Sequence, residues 1–171
     1  MKLQKDIKFV LSQEIFSDMK RCVKNASPNE ACGLIFGETP QEVQIGRGDF
    51  QYIYSGKLFH CIESSKKSPI AFLITNMEEF YEILKRVSQK YNLQLMSIFH
   101  SHPSGAHPSG VDLSNMRHLD SLKDVKYSDK FIIKTFQNQI WTIMDAVNYN
   151  LNGFIYLNDE LQQIDLKVLS D

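Results

Sequence analysis

Three of the chain's five histidines, with a serine and an aspartate, lie within the fourteen residues FHSHPSGAHPSGVD, positions 99 to 112. His100 and His102 are two positions apart at the end of an apolar segment, and alternate residues of a strand project from the same face. Two imidazoles placed in this way can reach one metal ion. Because catalytic zinc sites commonly have three protein ligands and an open position for water, a third ligand is needed nearby.

Asp112 is the candidate third ligand. The loop that separates it from His102 contains two prolines and two glycines, which allow a chain to fold back sharply. The geometry therefore permits a triad of ligands. Two histidines and a carboxylate suit zinc, but iron sites with two histidines and one carboxylate use a similar set. The ligand types alone leave the metal open.

The same residues also have a purely structural interpretation. Ser109 and Asp112 match a helix capping box, in which a serine and an acidic residue three positions later satisfy each other's backbone N–H groups. An isolated pair of alternate histidines is more often exposed or hydrogen-bonded than metal-binding. His107 lies in the middle of the loop and His118 lies off the helical face of Asp112, so neither is expected to be a ligand.

The elements that must position these residues are helices interleaved with strands. Residues 13 to 25 carry Ile15, Met19, Cys22 and Val23 on one helical face. A helix is also predicted over residues 77 to 91, with Asn76 and Glu79 as its capping pair, and another from about Asp112 to Leu122. Strands are predicted for ACGLIFGE, LQLMSIFH, KFIIKTF, QIWTIMDAV, GFIYL and LQQIDLKVL, and one or two strands for EVQIGRGDFQYIYS. Polar loops are predicted at ESSKKSP and SHPSGAHPSG.

This pattern predicts a single domain over residues 1 to 171, built from one mixed sheet with helices packed on it. The composition is that of a globular domain, with 43% hydrophobic and 23% charged residues. A net charge of −1 without a basic stripe makes nucleic acid an unexpected partner. We expect no membrane partner either, because no apolar run approaches about 18 residues. The charged N-terminal segment MKLQKDIKFVLSQEIF is unlike a signal peptide and indicates a cytoplasmic protein.

The three cysteines, Cys22, Cys32 and Cys61, are odd in number and form no CxxC pair. This usage argues against a disulfide framework and against a cysteine-rich zinc site. We expect all three to be reduced packing residues. A catalytic cysteine at Cys61 is not expected, because the adjoining His60 would point to the opposite face of a strand.

A position far upstream extends the pattern around the histidines. Glu30, in PNEACGLIFG, precedes a predicted buried strand. Together with HSHP at 100 to 103, Ser109 and Asp112, it resembles the signature of the JAMM (MPN+) metallopeptidases. The resemblance covers nearly the whole chain, including SPIAFLITNMEEFYEIL at 68 to 84 and the hairpin-rich tail.

One loop departs from this family. Between His102 and Ser109 the family usually has seven residues, whereas PSGAHP gives six. The spacing from Ser109 to Asp112 is kept, so we expect the helix start to be preserved and the shortening to be absorbed in the turn. Ser101 and Ser104 have no role in the signature, and we expect them to be turn residues.

The resemblance implies an α/β fold, deaminase-like, with a mixed, largely antiparallel, curled sheet flanked by helices. It implies one Zn²⁺ per chain, held by His100, His102 and Asp112. It assigns Glu30 as the general base and acid that acts on the attacking water, and Ser109 as a donor to the oxyanion. These roles require that Glu30 is not itself a ligand.

The function implied by the resemblance is zinc-dependent cleavage after the C-terminal tail of a ubiquitin-like protein, most often at an isopeptide bond to lysine. An alternative is the processing of a sulfur-carrier protein with the same fold and tail. The partner is then a ubiquitin-like or sulfur-carrier protein, and the chain length favours a stand-alone prokaryotic type. A third alternative is a non-catalytic MPN scaffold, although such relatives typically lack ligand histidines or the glutamate.

Overall fold

An eight-stranded sheet dominates the computed structural model, which describes residues 6–62, 77–121 and 139–170. The described strands are β1 (Ile7–Leu11), β2 (Cys32–Gly37), β3 (Gln41–Gln44), β4 (Phe50–Ile62), β5 (Gln94–His102), β6 (Ile140–Asp145), β7 (Leu151–Leu157) and β8 (Glu160–Val168). The described helices are α1 (Gln13–Ala26), α2 (Met77–Tyr91) and α3 (Gly110–Ser121).

The strands follow the order β1-β8-β7-β6-β5-β2-β4-β3, and a further pairing of β1 with β4 closes all of them except β3 into a ring. Strand β1 is parallel to both β4 and β8, and β5 is parallel to β6. The other pairs are antiparallel. The expected mixed, largely antiparallel, curled sheet with flanking helices is therefore confirmed.

Helix α1 packs on one side of this sheet. Ser12 caps it by accepting a hydrogen bond from the Ile15 N–H at 3.2 Å. Its buried side chains are the four predicted from the periodicity, Ile15, Met19, Cys22 and Val23. They pack with strand residues such as Phe9, Ile35 and Phe99 in one of two core clusters.

Helices α2 and α3 belong to the second core cluster. Phe80 and Val87 of α2 and Met116 of α3 are buried there together with strand residues such as Ile98 and Trp141. Because each cluster buries a different set of strand residues, the sheet is covered by helices on both of its sides. None of the helices in the described ranges is long and apolar enough to cross a membrane.

The predicted elements agree with the described ones except at their ends, but strand β1 was not predicted. Helix α3 starts at Gly110, two residues before the expected Asp112, and β5 continues through His102 into the segment expected to be a loop. Strand β5 is parallel to β6, whereas β6, β7 and β8 form hairpins as expected. The predictions for ESSKKSP, Asn76, Leu122 and KFIIKTF fall outside the described residues.

The prediction that all cysteines are reduced is wrong for two of them. Cys22 of α1 and Cys61 of β4 form a disulfide bond with a Cα–Cα distance of 5.8 Å, although they are 39 residues apart in sequence. Their pairing depends on how α1 lies against the sheet, which sequence spacing does not reveal. Cys32 is free and buried, as expected.

Candidate metal centre

The end of β5 presents two histidines from one face of the sheet. His100 and His102 have their Nε2 atoms 3.1 Å apart, and their ring centroids are separated by 4.9 Å. His100 is almost completely buried, with 1% of its surface exposed, and its ring meets the edge of Trp141 at a centroid distance of 6.2 Å. His102 is partly exposed, so one side of the pair is open to solvent.

Asp112 completes the group from the first turn of α3. Its Oδ1 lies 3.2 Å from His100 Nε2, and its Oδ2 lies 3.1 Å from His102 Nε2. The ligand atoms of the three residues all lie within 4.8 Å of one another. The fold thus brings the three predicted ligands to one point, from the end of a strand and the start of a helix.

The spacing of these atoms fits a divalent ion. Zinc–ligand bonds of about 2.0–2.1 Å at tetrahedral angles separate the ligand atoms by roughly 3.3 Å. The two histidine Nε2 atoms are 3.1 Å apart, and they lie 3.2 and 3.1 Å from the Asp112 oxygens. Two imidazole nitrogens this close repel each other through their lone pairs unless a proton or a cation lies between them. The residues therefore fit a metal ion of the kind that a His-His-Asp set binds.

The charges in the centre favour a cation. Burial disfavours the charged form of Asp112, but hydrogen bonds from His100 and His102 outweigh it and hold the carboxyl pKa well below its ordinary range. The hydrogen bond to Asp112 in turn raises the pKa of His102 in spite of partial burial. Asp112 is thus an anion throughout the neutral range and stabilises positive charge at this point.

Glu30 approaches the same centre from the segment that precedes β2. It lies two residues before Cys32, the residue of β2 that pairs with His100 of β5. Partial burial raises the pKa of the Glu30 carboxyl, and the nearby His102 and His100 oppose this rise. A carboxyl whose pKa is raised by burial holds its proton more readily than an ordinary glutamate, which suits a group that must accept and return a proton.

Ser109 and Asp112 each donate hydrogen bonds to the other. Its hydroxyl donates to Asp112 Oδ2 at 2.7 Å and accepts a hydrogen bond from the Asp112 N–H at 3.2 Å. The Ser109 N–H also donates to Asp112 Oδ2 at 2.7 Å. These contacts are the capping box that the sequence suggested. The capping and metal-binding interpretations of Asp112 are therefore compatible, because one carboxylate takes part in both.

Two residues that the sequence analysis passed over hold the short loop after His102. Asp145, at the end of β6, accepts hydrogen bonds from the Gly105 N–H at 2.8 Å and the Val147 N–H at 2.7 Å. Asn152 of β7 donates from Nδ2 to the Ala106 carbonyl at 2.9 Å. The position of Asp145 at the end of a predicted strand could have indicated its role in the sequence. No feature of the sequence indicated the role of Asn152.

The other polar residues between positions 99 and 118 are not members of this candidate cluster. The ring of His107 lies against Phe154 with centroids 5.8 Å apart, while the His107 backbone is hydrogen-bonded to His102. His118, beyond the quoted stretch, is exposed in the last turn of α3. Ser104 is exposed in a bend, as expected of a turn residue. Ser101 is not a turn residue. It is a buried strand residue whose contacts are described below.

Residues 12–149 match the sequence profile of a family described as prokaryotic homologs of the JAB domain. No curated protein matches the sequence.

Solved structures resemble the chain over most of its length. A Desulfitobacterium hafniense protein has a TM-score of 0.63 at 19% identity, with 95% of this chain and 94% of that chain covered. A Salinibacter ruber protein has a TM-score of 0.52 at 16% identity, with coverages of 94% and 91%. A JAB1/MPN domain protein from Archaeoglobus fulgidus has a TM-score of 0.49 at 13% identity, with coverages of 94% and 98%. At these identities, the first two similarities establish the fold alone.

Proposed function

The chain belongs to the family of prokaryotic homologs of the JAB domain, and on this premise we propose that it is a zinc-dependent peptidase. The observation that carries the proposal is the convergence of His100, His102 and Asp112 on one point, with Glu30 beside them. These residues come from three separate parts of the fold. A structural role for the capping box alone does not require two buried or half-buried imidazoles against the same carboxylate.

His100, His102 and Asp112 would hold one Zn²⁺ per chain. When bound, the ion supplies Lewis-acid chemistry, which polarises a scissile carbonyl and makes a water molecule more acidic. The ion would place positive charge beside the Asp112 carboxylate, between the two imidazoles that contact it. His100 is fixed by its burial, and His102 lies at the open side where a substrate can enter.

Glu30 is the proposed general base and acid. Its carboxylate takes a proton from the attacking water and later delivers that proton to the leaving amine. Among the described residues, the cluster of candidate ligand atoms consists of His100, His102 and Asp112, which leaves the Glu30 carboxylate for proton transfer. Its raised pKa brings the protonated and charged forms closer in energy, as a group that must use both forms requires.

Ser109 is the proposed donor to the oxyanion of the scissile carbonyl. Its hydroxyl lies at the start of α3 beside Asp112 and is exposed to solvent. To act on substrate, the hydroxyl proton must turn from Asp112 Oδ2 towards the carbonyl oxygen. Binding of a cation to Asp112 supports this rotation, because it weakens that carboxylate as a hydrogen-bond acceptor.

The proposed substrate is a protein bearing the C-terminal tail of a ubiquitin-like modifier, joined through an isopeptide or a linear peptide bond. An extended tail can be bound by strand addition to the edge of a sheet. A sulfur-carrier protein with the same fold and tail is the alternative substrate, and the protein is proposed to work in the cytoplasm. Both substrate classes are inferred from the family resemblance, and a cleavage experiment distinguishes between them.

The decisive test is cleavage. The purified protein is incubated with lysine conjugates and with linear fusions of ubiquitin-like and sulfur-carrier proteins, and the products are identified by mass spectrometry. Cleavage directly after the tail, lost with a chelator and restored by zinc, is the expected result. A protein that binds zinc but cleaves none of these substrates would instead support the non-catalytic scaffold.

A further inference from the structure

Ser101 lies between the two metal-binding histidines but faces away from them. Successive residues of a strand project to opposite faces, so the imidazoles of His100 and His102 share one side and the Ser101 side chain takes the other. Ser101 is 1% exposed and is directed into the sheet. This placement gives it no access to a metal ion, yet its contacts lead directly to the segment that carries Glu30.

The hydroxyl of Ser101 accepts a hydrogen bond from the backbone N–H of Ala31 at 2.9 Å, and the Ser101 N–H donates to the Ala31 carbonyl at 3.1 Å. In a regular antiparallel pair of this type both hydrogen bonds join backbone groups. Here the side chain replaces the Ser101 carbonyl as one acceptor. The pair is therefore the last rung between β2 and β5, and the chain departs from the ladder at the next residue, Glu30.

We propose that Ser101 is a positioning residue that sets the distance between the Glu30 carboxylate and the two histidines. The proposal rests on the proposed peptidase function of Glu30. Ala31 is covalently next to the carboxylate, and Ser101 is covalently next to both imidazoles, so this one rung joins the proton-transfer group to the metal-binding pair. Loss of the hydroxyl frees the Ala31 N–H and removes one of the two bonds that hold Glu30 in place.

The chain offers a matched pair of variants to test this role. Ser101→Thr keeps the hydroxyl and adds a methyl group, whereas Ser101→Val keeps the shape of threonine and removes the hydroxyl. Both residues are favoured in strands. Ser101 lines a cavity of about 460 Å³, together with residues such as Asn29 and Pro103, which gives room for the added methyl.

The first measurement does not depend on catalysis. Hydrogen exchange of the Ala31 amide is followed by NMR in the zinc-loaded wild type and both variants. We expect exchange at least about 10-fold faster in Ser101→Val and close to wild type in Ser101→Thr, because only the hydroxyl accepts this hydrogen bond. Equal protection of the Ala31 amide in the two variants would show that the Ser101 hydroxyl does not hold the Ala31 N–H.

The second measurement is steady-state cleavage at equal zinc content. Misplacement of a catalytic group by about 1 Å can cost roughly 100-fold in rate, so we expect kcat of Ser101→Val to fall by about 10- to 100-fold while KM changes little. Ser101→Thr should recover most of the turnover. Equal kcat in the two variants, or a loss of turnover that merely follows loss of zinc or of folded protein, overturns the positioning role. If the wild type has no peptidase activity, the proposed function is wrong. The exchange experiment then still tests whether the Ser101 hydroxyl holds the Ala31 N–H.

Discussion

The Ser109 hydroxyl lies 2.7 Å from Asp112 Oδ2, and the Asp112 N–H lies 3.2 Å from the same hydroxyl. One serine therefore caps α3 and contacts a carboxylate that is a candidate metal ligand. The two functions predict different effects of a single substitution. They can be separated because helix capping affects the free energy of unfolding, whereas donation to an oxyanion affects the rate of turnover.

Ser109→Ala should therefore show two independent losses. Removal of the cap should lower the free energy of unfolding by about 1 kcal/mol. Loss of the oxyanion donor should lower kcat by about 100-fold or more with little change in KM and with zinc retained. Chemical denaturation and steady-state kinetics measure the two effects. Ser114→Ala, at an exposed position of the same helix, is the control, and a Ser109→Ala protein that is less stable but fully active would make Ser109 only a cap.

Removal of a metal ligand should abolish zinc binding. We expect about one zinc per chain in the wild type and severe loss in His102→Ala and Asp112→Ala, because only two ligands of the triad remain in each variant. Elemental analysis and a zinc titration measure this. His118→Ala is the control, since that histidine is exposed in the last turn of α3. Retention of zinc at the wild-type level in both variants would show that His102 and Asp112 are not zinc ligands.

Glu30→Gln should separate zinc binding from chemistry. The amide keeps the size and polarity of the side chain but cannot take up the proton of water. We expect a folded protein that holds zinc and binds the substrate tail, while hydrolysis falls by about 100-fold or more. Glu78→Gln, at an exposed position of α2, is the matched control. Near wild-type cleavage by Glu30→Gln would remove Glu30 from the mechanism.

Asp145 should stabilise the fold in a manner that depends on pH. Hydrogen bonds from the Val147 and Gly105 N–H groups lower the pKa of its carboxyl below the ordinary value of 3.8. A group whose pKa is depressed by folding adds stability above its unfolded pKa, and this stability is lost as the pH falls through the folded pKa. Asp145→Asn should therefore be less stable than wild type near pH 7, and the difference should shrink below about pH 4.

Urea denaturation of Asp145→Asn and wild type across this range of pH measures the difference in free energy of unfolding. Asp159→Asn is the control, because Asp159 is an exposed turn residue with φ of 63°, a conformation that asparagine also tolerates. A stability difference for Asp145→Asn that stays constant down to about pH 3 would contradict the role of the charged carboxylate.

The three cysteines should be distinguishable by their reactivity. Burial raises the pKa of the Cys32 thiol to about 12, so it is neutral as well as inaccessible in the folded protein. We expect no labelling of the native protein by iodoacetamide. After unfolding without a reductant one thiol should react, and after reduction all three should react. Mass spectrometry counts the labels, and more than one label before reduction would show that Cys22 and Cys61 are not bonded.

Local patterns in the sequence predicted the parts of the fold that local forces determine. The buried face of α1 follows from periodicity alone, and His100 and His102 share a face because they alternate on a strand. The pairing of Cys22 with Cys61 and the contact of Ala31 with Ser101 were not predicted. Both join residues far apart in sequence. The first depends on how α1 packs on the sheet, and the second depends on strand register, which is a property of the assembled sheet.

The resemblance to a family supplied what local patterns could not, namely the association of Glu30 with a loop seventy residues later. It gave no indication of how a loop one residue shorter is accommodated. The structure answers this with Gly105, which has φ of +81°, and with the side chains of Asp145 and Asn152 that hold the turn. These contacts come from strands β6 and β7, so they could not be read from the loop itself.

The position of β1 between β4 and β8 has a consequence for biosynthesis. Lys8 of β1 pairs with Ile53 of β4 and with Asp165 of β8. On the ribosome β1 is made before every other described strand and β8 after all of them, so one edge of β1 stays unpaired until translation of β8 is complete. Contacts this distant in sequence form slowly. The sheet of the nascent chain therefore stays open, with an exposed edge on β1, until β8 has been made.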